Sequence, residues 1–423
     1  MPRHSRRQQS IHLMELRIEK LRKEAIEREI AGDDDDSVEE DNLYYQSLVL
    51  DKMKNSRYLF RKKYRKKTKT FDMEDALSLN SINFNDEEFL SHFRITHSSF
   101  FLLLDVMKER RAFNRVSKNK KQRPVAYQLL VFLYRIGKEG TSGGSMDVSA
   151  FFGIGKGTVN NYCKRCVKGL LEMKEEVVYW PDDKERLEMR KRLSANGFRH
   201  CVGIIDGTLI ELTFRPESYH ECYYTRKSNY ALNVMIVCDD KRRIIYYNAG
   251  WPGSTHDNRV FRNSKLFYNR KEYFSHHEYL LGDCAYSASP VMVQCFKKQA
   301  STSKLPPNNE FFNTCVAQVQ ITSEHCIGIL KGRFRCLKRN NIKLRNSKKE
   351  VKEMVELIGA CIVLHNLLIN YDEDDIPDSW YDEMNEDIDW TMYDEEEEDI
   401  AHVWEEKEDR RKFVFNLVVN NFL

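Results

Sequence analysis

The chain has 423 residues, of which 41% are hydrophobic and 31% are charged, as is typical of a globular protein with two or three domains. No stretch approaches the about 18 consecutive apolar residues that a membrane span requires. The basic N-terminus also lacks the apolar core of a secretory signal. These features argue against an integral membrane protein and against secretion.

Eleven cysteines are scattered along the chain, and several lie in apolar runs, where a thiol behaves as a small hydrophobic side chain. This usage is typical of a reducing intracellular compartment. Cys163 and Cys166 form one CxxC pair, but no second pair follows at a spacing typical of zinc sites. We therefore interpret them as buried thiols rather than as zinc ligands.

The net charge of +3 conceals a strong asymmetry. Residues 371–410 contain 20 acidic and 2 basic side chains, which leaves 45 acidic and 66 basic residues in the rest of the chain. A basic body with a separate acidic segment is typical of a protein that binds polyanions. Solvated charged surfaces would explain the composition equally well.

Residues 1–75 are predicted to form a basic and largely flexible arm. Apolar residues recur at helical spacing over 11–30, which predicts one exposed helix that either binds a partner or acts as a tether. Eight of the thirteen residues in 57–69 are basic. We interpret this segment as a nuclear-entry signal or a DNA-contacting arm, with a flexible linker as the alternative. The protein is therefore expected in the nucleus, with a cytoplasmic pool awaiting entry.

Residues 76–199 are predicted to form a helical domain, because three successive runs place aromatic and aliphatic residues on one helical face. Within it, residues 145–173 contain a short helix, a turn at 153–155 and a longer helix from Lys156. This is the outline of a helix-turn-helix, whose second helix can enter the major groove, although any helical hairpin would give the same pattern. The predicted DNA-reading residues are Lys156, Thr158, Asn160, Asn161 and Lys164.

Residues 200–370 change to short apolar runs rich in β-branched and aromatic residues, at 201–206, 231–239, 243–250 and 278–283. A helical pattern covers 257–269, and longer helices are predicted from about 315 to 340 and over 348–370. Strands mixed with helices in this order predict an α/β fold. Residues 371–423 are expected to be mostly disordered, apart from a short helix at RRKFVFNLVV.

Two acidic residues are predicted to end apolar strands. Asp206 follows CVGII, and Asp283 follows EYLLG; packing alone would favour an apolar residue at either position. Carboxylates on neighbouring strands repel each other unless cations lie between them, and Mg²⁺ or Mn²⁺ prefers such oxygen ligands. Glu324, on a predicted helix, is the candidate for a third carboxylate.

Taken with their flanks, these residues resemble the PIF/Harbinger group of DDE transposases and the Harbinger-derived nucleases. The resemblance spans about residues 86–370 and depends on the order and spacing of several motifs. These are EEFLSHFRITHSSFFLLL (87–104), DGTLIEL (206–212), AGWPGSTHDNRVFRNS (249–264), LLGDCAYSASP (280–290), EHCIGILKGRFR (324–335) and ACIVLHNLL (360–368).

The resemblance implies an RNase H-like catalytic domain with a mixed five-stranded sheet and flanking helices, preceded by the helix-turn-helix region. Asp206, Asp283 and Glu324 would be the catalytic and metal-binding residues, holding Mg²⁺ or Mn²⁺, most often two ions. Family members cut DNA ends and join the 3′-hydroxyl to target DNA. They commonly work with a Myb/SANT-like DNA-binding protein, and a homodimer is also expected.

The chain departs from the family pattern beside Glu324. The family usually has an arginine four residues before this glutamate and another directly after it, where this chain has Gln320 and His325. Both changes remove positive charge, which we expect to affect contacts with phosphates rather than metal binding.

Several neighbouring residues allow two interpretations. Thr255 or Asp257 could cap a helix, or His256 and Asp257 could act as auxiliary residues beside the metals. Two residues in the last predicted helix, His365 and Asn366, are interpreted as core residues. Three basic residues that follow Glu324 are predicted to meet the DNA backbone rather than only solvent: Lys331, Arg333 and Arg335.

The leading hypothesis is therefore a metal-dependent DNA endonuclease or transposase acting on double-stranded DNA. The alternative is a domesticated DNA-binding or scaffold protein that keeps the fold and has reduced catalysis. A nuclease for RNA or repair intermediates is a third hypothesis, since related sites serve many substrates.

Overall fold

In the computed structural model, the described residues are 6–31, 37–55, 71–78, 84–114, 122–275, 277–297, 305–345, 348–369 and most of 411–419. They divide into two compact units, Met1–Thr68 and Lys69–Leu423. No described helix is long and apolar enough to cross a membrane. The predicted basic segment 57–69 and the acidic segment 371–410 lie outside the described residues.

The first unit is a pair of helices, α1 (Arg6–Ala31) and α2 (Ser37–Asn55). They pack against each other, and Lys54 forms a 2.8 Å ion pair with Glu15 across them. The helix predicted over 11–30 is therefore part of a longer one. Helix α2 was not predicted from the sequence.

The second unit begins with helices, and the three predicted from apolar periodicity are present. Helix α3 is capped by a reciprocal pair in which the Asn85 side chain binds the Glu88 amide and Glu88 binds the Asn85 amide. Thr96 caps α4 through the Ser99 amide. The helices are α3 (Asp86–Phe93), α4 (His97–Lys108), α5 (Val125–Ile136), α6 (Ser145–Phe151), α7 (Lys156–Leu171), α8 (Lys174–Val177) and α9 (Asp183–Ser194).

Helices α6 and α7 have the lengths and the turn that the sequence predicted. Gly153 lies in the turn with φ +62°, a value that favours glycine, and Gly155 precedes the first residue of α7. The buried side chains of α7 include Val159 and Tyr162, which fix one face of the helix against the core. A role in DNA reading stays a prediction.

A mixed sheet forms the centre of the unit, with strand order β3-β2-β1-β4-β5. Strand β1 pairs antiparallel with β2, and β2 with β3, whereas β4 is parallel to β1 and to β5. A sixth strand pairs with the end of β1. The strands are β1 (Cys201–Leu212), β2 (Ala231–Cys238), β3 (Ile244–Pro252), β4 (Tyr279–Gly282), β5 (Met292–Gln294) and β6 (Arg339–Asn340).

Helices cover both faces of this sheet, which gives two apolar cores. Helix α14 packs against β1, β2 and β4, and α15 packs against β3 and α7. The helix predicted over 257–269 is interrupted after Arg262, and the one predicted from about 315 begins earlier. The remaining helices are α10 (His220–Tyr223), α11 (Asp257–Arg262), α12 (Lys265–Tyr268), α13 (Arg270–Tyr273), α14 (Pro307–Arg333) and α15 (Lys348–Leu368).

Asn366 ties the last long helix to the sheet. Its Oδ1 accepts from the Ile244 amide at 2.9 Å, while its Nδ2 donates to the Ile244 carbonyl at 2.8 Å and to the Val177 carbonyl at 3.0 Å. His365 is fully buried beside it, and its Nε2 lies 2.9 Å from the Arg242 carbonyl oxygen. Both residues therefore have the core role that the sequence predicted.

The described part of the C-terminus is helical at 411–412, 414–416 and 418–419, as predicted for RRKFVFNLVV. Val414 and Val418 are fully buried. The Phe415 ring packs against those of Phe296 and Phe312, with centroids 5.4 and 5.7 Å apart. This short segment therefore belongs to the second unit.

Candidate active site

Asp206 lies in the middle of β1 and not at its end, so the prediction that it ends a strand is wrong. The strand continues to Leu212 because residues 204–211 pair without interruption with β2. The Asp206 Oδ1 accepts a 2.7 Å bond from the Gly207 amide. Burial raises the pKa of Asp206 well above its usual range, and the charges of Asp283, Asp257 and Glu324 add to the effect.

Asp283 directly follows β4, as predicted. Its Oδ1 accepts from the Ala285 amide at 3.0 Å. Burial, with the charges of Asp257 and Glu324, raises the pKa of Asp283 to about 6, although Lys297 opposes the shift. Because β4 is parallel to β1, the end of β4 brings this carboxylate beside the middle of β1.

Glu324 lies on α14, the helix that packs across β1 and β4. One turn earlier, the Gln320 Nε2 donates to the Leu281 carbonyl at 3.0 Å, which fixes the helix against β4 close to Asp283. Burial raises the pKa of Glu324, and its own charge acts on both aspartates. The structure thus brings the three predicted carboxylates into one electrostatic group.

Asp257 is a fourth member of this group, and it approaches β1 from the other face. Its Oδ1 accepts from the Asn233 Nδ2 at 2.7 Å. It occupies the space beside Gly207, where an added Cβ would lie 2.4 Å from the Asp257 Cγ. Successive residues of a strand point to opposite faces of the sheet, so the Asp206 side chain lies on the face opposite to the one where Asp257 packs against Gly207. A glycine at 207 is therefore required for Asp257 to reach this position.

His256 caps α11, through an Nδ1 that accepts from the Asn258 amide at 3.3 Å. The expectation that Thr255 or Asp257 caps this helix is therefore wrong, since Asp257 is its first residue. Burial lowers the pKa of His256, and the charges of Arg226 and Lys297 lower it further. The auxiliary roles predicted for His256 and Asp257 remain proposals.

The carboxylates fit divalent cations in donor chemistry, because hard cations prefer oxygen ligands and would offset the mutual repulsion that raises these pKa values. Among the residues that the structure describes, no three acidic, histidine or cysteine side chains are close enough to hold one metal ion. The side chains would have to draw together for a cation to bind.

Three basic side chains interact electrostatically with the carboxylate group. Lys331, two turns after Glu324 on α14, is partly buried and donates to the Leu209 carbonyl at 2.9 Å. Burial lowers the pKa of Lys331 to about 8, against the opposing effect of Asp206. Arg226 and Lys297, both exposed, act on Asp257 and Asp283 respectively. These two residues were not predicted from the sequence, although Arg226 and Lys227 form a basic pair between β1 and β2.

The five residues of α7 that were predicted to contact DNA differ in their exposure and in their hydrogen bonds. Lys156 and Asn161 are exposed on α7, and Thr158 is half-buried. Asn160 accepts from Arg135 and Ser145 at 3.1 and 2.7 Å. Lys164 forms a 3.0 Å ion pair with Glu353 of α15, so it and Asn160 also hold α7 in place.

Arg333 is 1% exposed, which corrects the prediction that it meets the DNA backbone. It is the last residue of α14, whereas the predicted helix continued to about 340, and the chain turns after Phe334 and leaves Arg333 buried. Arg335 is half-buried at this turn.

The two departures from the family pattern have different positions. Gln320 is buried, and its bond to the Leu281 carbonyl gives it a packing role beside the site. His325 is largely exposed, and partial burial together with the charge of Arg242 lowers its pKa. Arg242 lies in the turn between β2 and β3, so its charge acts on His325 from that turn.

Comparison with known proteins identifies this domain. Residues 205–366 match the family described as DDE superfamily endonuclease. The chain is 24% identical to the protein ALP1-like of Arabidopsis thaliana, over 70% of this chain and 75% of that protein. It is 22% identical to the Arabidopsis protein Antagonist of like heterochromatin protein 1, over 69% and 76%.

A third relative is "Putative nuclease HARBI1" of Xenopus laevis, 23% identical over 54% of this chain and 63% of that protein. No solved structure matches the chain. Residues 205–366 therefore match a DDE superfamily endonuclease domain, which confirms the family resemblance indicated by the motifs.

Proposed function

We propose that this protein is a divalent-metal-dependent endonuclease that cuts double-stranded DNA. The observation that carries the proposal is the convergence of Asp206, Asp283 and Glu324 from β1, the end of β4 and α14. Each has a raised pKa, and Glu324 and Asp283 contribute to the shift at Asp206. Proteins seldom bury carboxylates together unless cations or protons balance them.

In this proposal Asp206, Asp283 and Glu324 hold Mg²⁺ or Mn²⁺. When bound, such cations would activate the attacking oxygen and stabilise the leaving oxygen of an in-line phosphoryl displacement. Lys331, Arg226 and Lys297 would bind the phosphates on either side of the reacting one. Asp257 would fix β1 through Gly207 and add negative charge, which favours cation binding.

We also propose that the domain is RNase H-like. Its support is the central β1, antiparallel to β2 and parallel to β4, in the order β3-β2-β1-β4-β5. This order places Asp206 and the end of β4 side by side.

Cleavage of plasmid and linear duplex DNA by the full chain tests the proposal, with Mg²⁺, Mn²⁺ or EDTA. We expect metal-dependent nicking that Asp206→Asn, Asp283→Asn and Glu324→Gln each reduce by at least about 100-fold, the upper end of the loss caused by substituting residues that only orient metal ligands. Asp105→Asn is the matched control, because Asp105 is exposed and forms an ion pair with Lys108 across one turn of its helix. Cleavage that survives the three substitutions would refute the assignment.

A second candidate is a DNA-binding protein that keeps the fold without catalysis. It is favoured by the neutral Gln320, which bonds to the Leu281 carbonyl near Asp283 where the family usually has an arginine. For this candidate we expect salt-sensitive DNA binding that neither EDTA nor Asp206→Ala changes, and no nicking with either metal.

Joining of a 3′-hydroxyl to target DNA extends the proposal. A labelled oligonucleotide with a free 3′-hydroxyl should become linked to plasmid DNA in the presence of Mn²⁺. Labelled RNA should compete poorly with duplex DNA; strong competition by RNA would favour the hypothesis of an RNA nuclease.

A Myb/SANT-like partner, a homodimer and nuclear localisation also belong to the proposal. Helix α1 has exposed apolar side chains that could bind a partner or a second copy, including Leu13, Leu16 and Ile30 at 66%, 50% and 81% exposure. Light scattering at several concentrations would measure self-association. Fluorescence imaging with and without residues 57–69 would test nuclear entry.

A further inference from the structure

Four basic side chains meet at one place outside the carboxylate group. Arg94 ends α3 in a left-handed conformation with φ +63°, and Lys138 lies just after α5. Arg335 and Lys338 lie at the short 3-10 turn that follows α14. We call these four residues the basic cluster; all are half-buried.

Packing holds the cluster together. The Arg94 Cγ lies 3.0 Å from where a Cβ on Gly137 would be, so this arginine passes over the glycine that precedes Lys138. The Lys138 Nζ lies 4.8 Å from the centre of the Tyr134 ring. Helix α5 packs directly against the 3-10 turn, which brings Arg335 and Lys338 to the same place.

The charges in the cluster oppose one another. Burial lowers the pKa of Arg94 to about 10, and Arg335 adds to this effect. Burial lowers the pKa of Lys138, with contributions from Arg94 and Arg335, and the pKa of Lys338 is lowered by burial and by the same two arginines, against Glu139. Half-buried cations that repel one another are stabilised when an anion binds between them.

The cluster lies in line with the carboxylates. The Lys338 carbonyl accepts from the Glu211 amide at 3.2 Å, and Glu211 is five residues after Asp206 on β1. At about 3.3 Å per residue, the two positions are about 17 Å apart along the strand. Lys331, bonded at Leu209, lies between them. About five base pairs of B-DNA also span about 17 Å.

A neighbouring cavity shares Lys138 with the cluster, and its lining carries five basic and two acidic side chains. It has a volume of about 600 Å³ and is lined by Lys138, Arg135 and Arg339 among other residues. A small phosphorylated molecule could enter this cavity. The alignment of the basic cluster, Lys331 and Asp206 along one strand favours a long polyanion instead.

We propose that Arg94, Lys138, Arg335 and Lys338 bind phosphates of the DNA backbone about five base pairs from the carboxylates. The cluster would anchor the duplex while its reacting phosphate lies at Asp206. This inference rests on the proposed DNA endonuclease function and adds a second contact site to it.

Binding of a fluorescent duplex of about 30 base pairs to the full chain in EDTA tests the anchor. The test variant is Lys138→Ala/Lys338→Ala. Its matched control is Lys184→Ala/Lys191→Ala, which removes two exposed charges from α9. Lys138→Arg/Lys338→Arg keeps the charges. Thermal melting checks that each variant is folded.

We expect the test variant to bind about tenfold more weakly at moderate salt, and the slope of log K on log salt to fall in magnitude by about two, since each phosphate contact contributes about 0.9. The control should stay within about twofold of wild type and the arginine variant within about threefold. An affinity and a salt slope equal to those of the control would overturn the anchor.

Inorganic pyrophosphate separates DNA from small ligands. If about 1 mM pyrophosphate raises the melting temperature of wild type but not of the test variant, while both bind DNA equally, the cluster serves a small phosphorylated ligand and the DNA assignment is overturned. Cluster-dependent binding without metal-dependent cutting would support the anchor and refute the nuclease. Metal-dependent cutting by a protein whose DNA binding does not depend on the cluster would support the nuclease and refute the anchor.

Discussion

Asp283→Asn should stabilise the metal-free protein at neutral pH. The carboxyl group has a pKa of about 6 in the folded protein, against about 3.9 in an unfolded chain. A raised pKa favours folding only while the group is protonated, so its contribution is present below about pH 4 and is lost as the pH rises through about 6. Above that pH, folding leaves a buried negative charge beside Asp206 and Asp257.

The size of the effect follows from the pKa difference. A difference of about two corresponds to about 3 kcal/mol of unfolding free energy at pH 7.5, and about half of that is already lost at pH 5. Asparagine keeps the shape of the side chain, and its Oδ1 can still accept from the Ala285 amide. We therefore expect Asp283→Asn to gain up to about 3 kcal/mol at pH 7.5 and about 1.5 kcal/mol at pH 5.

Urea unfolding in EDTA at the two pH values measures this difference, with Asp105→Asn as the exposed control. The advantage of the asparagine variant should shrink or reverse when Mn²⁺ is added, because a bound metal stabilises the wild type. An equal gain at both pH values would show that the charge of Asp283 is not the cause. No gain at pH 7.5 would refute the burial argument itself.

Three further predictions concern packing and charge. Gly207→Ala should displace Asp257, lower the free energy of unfolding by about 1–3 kcal/mol and reduce Mn²⁺-dependent cleavage. The control is Gly157→Ala, because nothing lies within 4 Å of its added Cβ. This control should be neutral or stabilising in thermal melting and should leave cleavage unchanged. Asn366→Ala should lower the free energy of unfolding by about 2–4 kcal/mol in urea titrations, because it leaves buried backbone groups of β3 without their bonds; a loss under about 1 kcal/mol would contradict this role. Lys331→Gln should weaken duplex binding about five- to tenfold at pH 7. Because the wild-type lysine loses its charge above about pH 8, the affinity of wild type should fall toward that of the variant between pH 7 and 9. Parallel pH profiles of the two proteins would contradict the phosphate contact.

The sequence predicted the parts of the fold that have a strong period. Helices α3 to α7 were predicted because their apolar residues lie on one face, and β1 to β4 because their runs are short and rich in β-branched residues. Strands β5 and β6 have three and two residues, too few for any pattern. Helix α2 was missed because its mixed sequence, SVEEDNLYYQSLVLDKMKN, has only a weak apolar face.

The site was predictable in its carboxylates and less so in its surroundings. Asp206 was assigned to a strand end because the apolar run stops there, but the backbone ladder with β2 continues regardless of side-chain polarity. Arg333 has the composition of a surface residue, and only the turn after α14 buries it. Arg226 lies in the connection between β1 and β2 and Lys297 in the one between β5 and α14, and no local pattern determines the paths of these connections.

The position of Asp206 within an uninterrupted ladder limits how the length of such a chain can change. Inserting or deleting one residue of β1 before Asp206 would turn its side chain to the opposite face of the sheet, away from Glu324 and toward the side that Asp257 occupies. The connection of residues 213–230 lies outside this ladder, so a change in its length does not alter the face to which Asp206 points. Length differences among related chains should therefore accumulate in that connection, while β1 changes only by substitution.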